Sequence, residues 1–182
     1  LIFMGAFCIL VAMLVLYIIV RNNKEKAVLI RSAQTDALTG VYNKENTQNM
    51  IDEILRKKDP DSFHGFLILD MDHFKEVNDV YGHAMGDKVL EMLGNFLKKQ
   101  FREQDVIGRI GGDEFVILLY NIGSRQNMEN RVKSLQEKIR EIHMDGMEGH
   151  TFTLSAGIAF APQDGDTFME LYQKACLLYT SP

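Results

Sequence analysis

The sequence predicts an α+β fold in which helices cover one face of an antiparallel sheet, preceded by one membrane-crossing helix. Three observations carry this reading. The first twenty residues hold no charge. The rest alternates helical and strand periodicities in the order helix, strand, helix, hairpin, helix, strand, helix. A hairpin in the middle makes the sheet antiparallel there, and the order resembles the split βαβ arrangement, βαββαβ, of ferredoxin-like domains.

The elements follow in chain order. Residues 1–20, "LIFMGAFCILVAMLVLYIIV", are diluted only by Gly5 and Tyr17. Twenty helical residues at about 1.5 Å each span about 30 Å, one bilayer core. Arg21, Lys24, Lys26 and Arg31 follow against a single Glu25, which places the C-terminal side in the cytoplasm. A secretory signal fits less well, because no basic segment precedes the run and no small, polar cleavage site closes it. The run therefore reads as the end of a longer membrane region, and residues 21–35 as a juxtamembrane linker or helix.

The domain occupies residues 36–175. Gly40 marks a turn, and Asn43 caps a helix carrying Met50, Ile51, Ile54 and Leu55. "DPDS" (59–62) ends it, and "GFLILD" (65–70) reads as a buried strand. "GDKVLEMLGNFLKKQF" sets Val89, Leu90, Leu93, Phe96 and Leu97 on one helical face. "VIGRI" and "EFVILLY" form the hairpin. Met128, Val132, Leu135, Ile139 and Ile142 then recur at helical spacing. In "FTLSAGIAF", Phe152, Leu154, Ala156, Ile158 and Phe160 share one face of a half-buried strand, and "DTFMELYQKA" opens a last helix.

Composition narrows the chemistry. The 182 residues are 46% hydrophobic, which argues against disorder, and the net charge of −5 argues against nucleic acid as a partner. An acidic chain that handles phosphates needs a cation. The two cysteines, Cys8 and Cys176, lie near opposite ends and imply neither a disulfide framework nor a thiolate metal site.

Asp70 and Asp72 fall where the first strand ends, and residues i and i+2 of a strand face the same way. An EF-hand loop is excluded, since Phe74, Lys75 and Tyr81 occupy positions that need a ligand, a glycine and a glutamate. Gly111 and Gly112 suit a two-residue hairpin turn, but Asp113 and Glu114 after them exceed what a turn requires. If the hairpin lies beside "FLILD", four carboxylates meet at one edge and repel unless a divalent cation neutralises them. Oxygen donors alone favour Mg²⁺ or Mn²⁺, and the cluster suits metal-assisted phosphoryl or nucleotidyl transfer.

With "DALTG" before and "TLSAGIA" after, "LDMDHFKEVNDVYGHAMGD" and "RIGGDEF" resemble the GGDEF family of diguanylate cyclases over about residues 34–175. The resemblance implies a nucleotidyl-cyclase or polymerase-palm-like antiparallel sheet. It implies condensation of two GTP into cyclic di-GMP, with release of two pyrophosphates, across an antiparallel homodimer. By the same resemblance Asp70, the Met71 carbonyl and Asp113 hold metal. Glu114 serves as second-metal ligand or proton acceptor, and Asn78 with Asp87 reads guanine. Backbone amides near His73 and Phe74 cradle the terminal phosphates, with Lys75 nearby, while Gly111 and Gly112 let the nucleotide approach. Arg102 and Asp105 match the RxxD pattern that marks a product-binding inhibitory site upstream of the turn. The implied place is the bacterial inner membrane, with the catalytic domain in the cytoplasm.

One departure stands out. The family's last helix continues with basic residues and a closing strand, whereas residues 176–182, "CLLYTSP", do not resemble it. Two other readings stay open: a non-catalytic cyclic di-GMP receptor using Arg102 and Asp105, and a signalling module that transmits dimerisation. Receptors of this type typically carry a degraded turn, and this turn is intact.

Overall fold

A computed structural model describes residue 13 and residues 16–21, 34–57 and 62–177. It divides into two units, residues 1–34 and 35–182. In the first, residues 16–21 are helical and Leu16 to Val20 are exposed. Most of the predicted span 1–20 and linker 21–35 lies outside the described residues, as does the tail beyond Leu177. No helix among the described residues is long and apolar enough to cross a membrane, so the membrane-crossing helix in the predicted fold has no counterpart there.

The second unit holds the sheet. Its elements are α1 (Lys44–Arg56), β1 (His64–Met71), α2 (Phe74–Tyr81), α3 (His83–Gln100), β2 (Val106–Gly111), β3 (Glu114–Leu119), α4 (Arg125–Arg140), β4 (Leu154–Ala161) and α5 (Phe168–Leu177). The strands lie in the order β2-β3-β1-β4, and every neighbouring pair is antiparallel. That is the order of a βαββαβ chain. Asn43 caps α1 as its sequence position predicts: its side-chain oxygen accepts from the Asn46 amide at 3.0 Å.

The sequence order contains one helix between β1 and the hairpin, whereas the structure has two. α2 and α3 meet at Gly82, whose φ of +81° interrupts the helical path. The apolar stripe from Val89 to Leu97 marks only α3. α2 buries a single residue, Val77, and so leaves little trace in the pattern.

Both faces of the sheet are covered, and here the sequence reading needs correction. One core joins Leu67, Leu69, Phe115, Ile117 and Leu154 to the helices α2, α3 and α4. A second joins Phe66, Ile68, Val116 and Leu118 to Ile51 and Leu55 of α1 and to Phe168 and Leu171 of α5. β4 is therefore not half-buried: Ser155, Ala159 and Ala161 on its other face are also inside. Small residues there replace the bulky side chains that usually announce a buried face. The unbroken apolar run of β1 has the same cause, since a strand between two cores shows no alternation.

α1 sits close to the sheet because β2 offers it a glycine. A Cβ at Gly108 would collide with the Thr47 hydroxyl, which is fully buried and donates to the Asn43 carbonyl at 2.7 Å. Gly108→Ala is expected to cost about 2–3 kcal/mol in urea unfolding, as overpacking does. Adding Thr47→Ala should return most of that loss.

Candidate functional site

β1 and β3 are the central strands, and their register runs from Gly65 opposite Leu119 to Asp70 opposite Glu114. Residues directly opposite in an antiparallel pair share a face, so this register gathers the Asp70 and Glu114 carboxylates at one end of the sheet. The hairpin closes with Gly111 opposite Glu114, leaving Gly112 and Asp113 as the central turn residues. Gly112 has φ +55°, which the turn requires and other residues adopt at a cost. Gly111 has no such φ, and a Cβ on either glycine would meet nothing within 4 Å among the described residues. The turn explains Gly112. The open space beside Gly111 is a place where a ligand can approach the backbone.

Asp72 lies just beyond β1. Its Oδ1 accepts from Ser155 Oγ of β4 at 2.5 Å, and its buried Oδ2 finds no hydrogen-bond partner among the described residues. The Asp70 carboxyl is pushed up to about 6, first by burial and then by the charges of Asp113, Glu114 and Asp72. In this conformation no three His, Cys, Asp or Glu side chains among the described residues converge closely enough to hold a metal ion. The donor set nonetheless suits a hard divalent cation. It is all oxygen, it strains one member electrostatically, and it includes a buried oxygen without a donor.

The sequence-predicted nucleotide residues cluster beside this edge. His73 precedes α2 in the left-handed region at φ +59°, and no side chain caps the helix there. The uncapped first turn leaves backbone amides available to an acceptor from outside. His73 is exposed, and its Nδ1 lies 2.8 Å from Glu76, which raises the imidazole above its usual value. The partly buried Phe74 packs against the core, and Lys75 is exposed. Asn78 of α2 is half-buried, and Asp87 of α3 is exposed. A Cβ at Gly86 would collide with the Asn78 carboxamide, so the glycine before Asp87 lets Asn78 pack directly against α3. Met71, the last residue of β1, is buried and lies opposite Leu154 of β4.

Arg102 and Asp105 lie elsewhere. They line a cavity of about 410 Å³ with Tyr120, Asn127, Asn130 and Arg131. Tyr120 follows the last residue of β3, so this cavity and the acidic turn occupy opposite ends of that strand, about 20 Å apart for six residues. Arg102 is exposed. Asp105 is buried, and its two oxygens accept from the Arg102 and Tyr120 amides, each at 2.9 Å. Its carboxylate is thus already engaged in shaping the cavity.

Besides Ser155, the sequence reading missed three residues at the acidic edge. Arg109 donates from Nε to the Gly112 carbonyl at 2.8 Å and from Nη1 to Asp36 at 3.1 Å. Burial alone would raise Asp36, but hydrogen bonds from Thr39 and the Arg109 guanidinium hold it below the usual carboxylate value. An arginine two residues before a glycine pair was the available signal. Tyr172 of α5 donates to Glu114 Oε1 at 2.6 Å across 58 residues of chain, and no local pattern marks it.

Comparison with known proteins places these observations. The family model described as diguanylate cyclase, GGDEF domain, matches residues 33–178. The diguanylate cyclase TpbB of Pseudomonas aeruginosa is 36% identical over 152 residues, covering 81% of this chain and 34% of TpbB. This chain thus spans about a third of that relative's length. A truncated TpbB comprising only its GGDEF domain superposes with a TM-score of 0.73 at 30% identity, over 79% of this chain and 85% of that one. The coiled coil and GGDEF domain of DgcB from Caulobacter crescentus, solved with c-di-GMP, gives a TM-score of 0.78 at 19% identity, over 87% and 85% of the two chains. That last likeness is one of fold alone.

The raised Asp70 carboxyl makes stability depend on pH without metal. A carboxyl elevated by folding contributes stability that is full below its unfolded value of 3.8 and is lost as pH rises through about 6. Metal-free Asp70→Asn should therefore be more stable than wild type at pH 7.5 by about 1–2 kcal/mol, the full shift being reduced by solvent screening. Urea melts should show the gap closing below about pH 4 and shrinking when Mg²⁺ is added.

Proposed function

The chain belongs to the diguanylate cyclase GGDEF-domain family, and on that premise we propose that it condenses two GTP molecules into cyclic di-GMP. The observation that carries this is the register pairing of Asp70 with Glu114 beside the turn that bears Asp113. Mg²⁺ or Mn²⁺ would be held by Asp70, the Met71 carbonyl, Asp113 and Glu114, and when bound would neutralise phosphate charge and acidify the attacking hydroxyl.

The chain's own groups do the rest. Asn78 and Asp87 read guanine: the amide donates and accepts, and the carboxylate accepts from the ring N–H and exocyclic amine. The backbone amides of His73 and of Phe74, the first residue of α2, with Lys75 beside them, hold the terminal phosphates. Gly111 and Gly112 leave room for the nucleotide against the hairpin. The 3′-hydroxyl of one GTP attacks the α-phosphorus of the other, the new P–O bond replaces the bond to pyrophosphate, and the proton passes to the acidic cluster. A second such step closes the ring. Each subunit of an antiparallel homodimer presents one GTP, so neither subunit completes the reaction alone.

Arg102 and Arg131 give the distant cavity its positive charge, suited to the phosphates or guanines of the product. Asp105 holds the cavity's shape through the two amides it binds. Product there restrains turnover without occupying the substrate site, because the two lie at opposite ends of β3. The apolar run 1–20 anchors the domain at the bacterial inner membrane, with the catalytic unit in the cytoplasm.

The chain incubated with GTP and Mg²⁺ is expected to form cyclic di-GMP, seen by chromatography, and Asp113→Asn should lower the rate at least about 10²-fold. Tight cyclic di-GMP binding without turnover would replace this reading with that of a receptor. Arg102→Ala should raise the product concentration for half-inhibition about 10- to 100-fold. An unchanged inhibition curve would remove Arg102 from the product site.

A further inference from the structure

We propose that Tyr172 is a positioning residue for Glu114, fixing that carboxylate so that one oxygen is turned to α5 and the other is left for the cation. The inference rests on the metal-assisted reading above. Its ground is geometric. Asp70 and Glu114 follow the strand alternation onto the face that carries Ile68, Val116 and the α5 residues Phe168 and Leu171. α5 is thus the helix that faces Glu114, and Tyr172 extends from it to donate to Glu114 Oε1 at 2.6 Å. A hydroxyl–carboxylate bond of that length is of the strong, charge-assisted kind.

The hydroxyl is held in place from behind. The Tyr172 ring stacks on Phe168, with centroids 5.8 Å apart, and Phe168 meets the buried Phe66 of β1 edge-on at 5.6 Å. The Phe168 amide in turn donates to Asp52 of α1 at 2.7 Å, which ties the start of α5 down. An outer group that orients a metal-binding carboxylate in this way is commonly worth 10- to 100-fold in metal affinity or rate.

The test compares wild type, Tyr172→Phe, Glu114→Gln and the double variant in the whole chain. Tyr172→Phe keeps the ring and removes only the hydroxyl. Mn²⁺ affinity, read by electron paramagnetic resonance without nucleotide, is expected to fall about tenfold, and kcat with it, while KM for GTP stays within about twofold. The double variant should bind Mn²⁺ no more weakly than Glu114→Gln alone. Mn²⁺ binding by Tyr172→Phe as tight as wild type or tighter, or losses that add in the double variant, would overturn the role. If wild type binds Mn²⁺ but forms no cyclic di-GMP, the cyclase reading fails, and the Mn²⁺ comparison still decides Tyr172. If wild type binds no Mn²⁺, the role of Tyr172 falls.

Discussion

Asp70 and Glu114 face each other across the two central strands, and like charges in that register repel. The stretches of β1 and β3 that pair, residues 65–70 and 114–119, carry no cationic side chain to relieve them. β1 and β3 are apolar along the rest of their shared length and lie between two cores, so neither can slip by a residue without exposing a whole buried face. The hydrophobic register thus holds the carboxylates together against their own field, and the site is an electrostatic cost met by packing elsewhere. A cation that enters there relieves a strain the fold already carries.

That arrangement explains which parts were legible in the sequence. The acidic edge could be read because its residues sit at strand ends, where Asp70, Gly112 and Asp113 break strong apolar runs. The Asn43 cap and the stripes of α3 and α4 could be read for the same reason, each being a local pattern. What could not be read depends on contacts between distant segments. The second core uses Ala159 and Ala161, whose small size gives no periodic signal, so β4 looks half-buried when it is not. α2 is too short and too polar to announce itself. Tyr172 appears as another aromatic on a helix, and its role exists only because the register aims Glu114 at α5. Asp105 matches a binding motif, yet both its oxygens serve backbone amides.

The hairpin β2–β3 separates two chemistries. At its turn the side chains are acidic and the glycines open; at its other end a cavity is lined by two arginines. Opposite charge preferences at the two ends of one short, rigid element keep a cation and an anion from competing for the same place. One side chain secures each end: Arg109 holds the Gly112 carbonyl, and Asp105 joins the amides of Arg102 and Tyr120. The strands between them are fixed in the sheet.

The strand order has a consequence for how the protein comes into being. β1 pairs on one side with β3 and on the other with β4, the last of the described strands. As the polypeptide emerges during synthesis, β1 waits with an open edge until β4 has been made. The groups around Asp70 come from the hairpin turn, from Ser155 and, through Glu114, from Tyr172, so no early intermediate contains the assembled acidic edge. Such long-range pairing folds slowly, and it ties chemistry to completion: a partly made chain carries the motif but not the site.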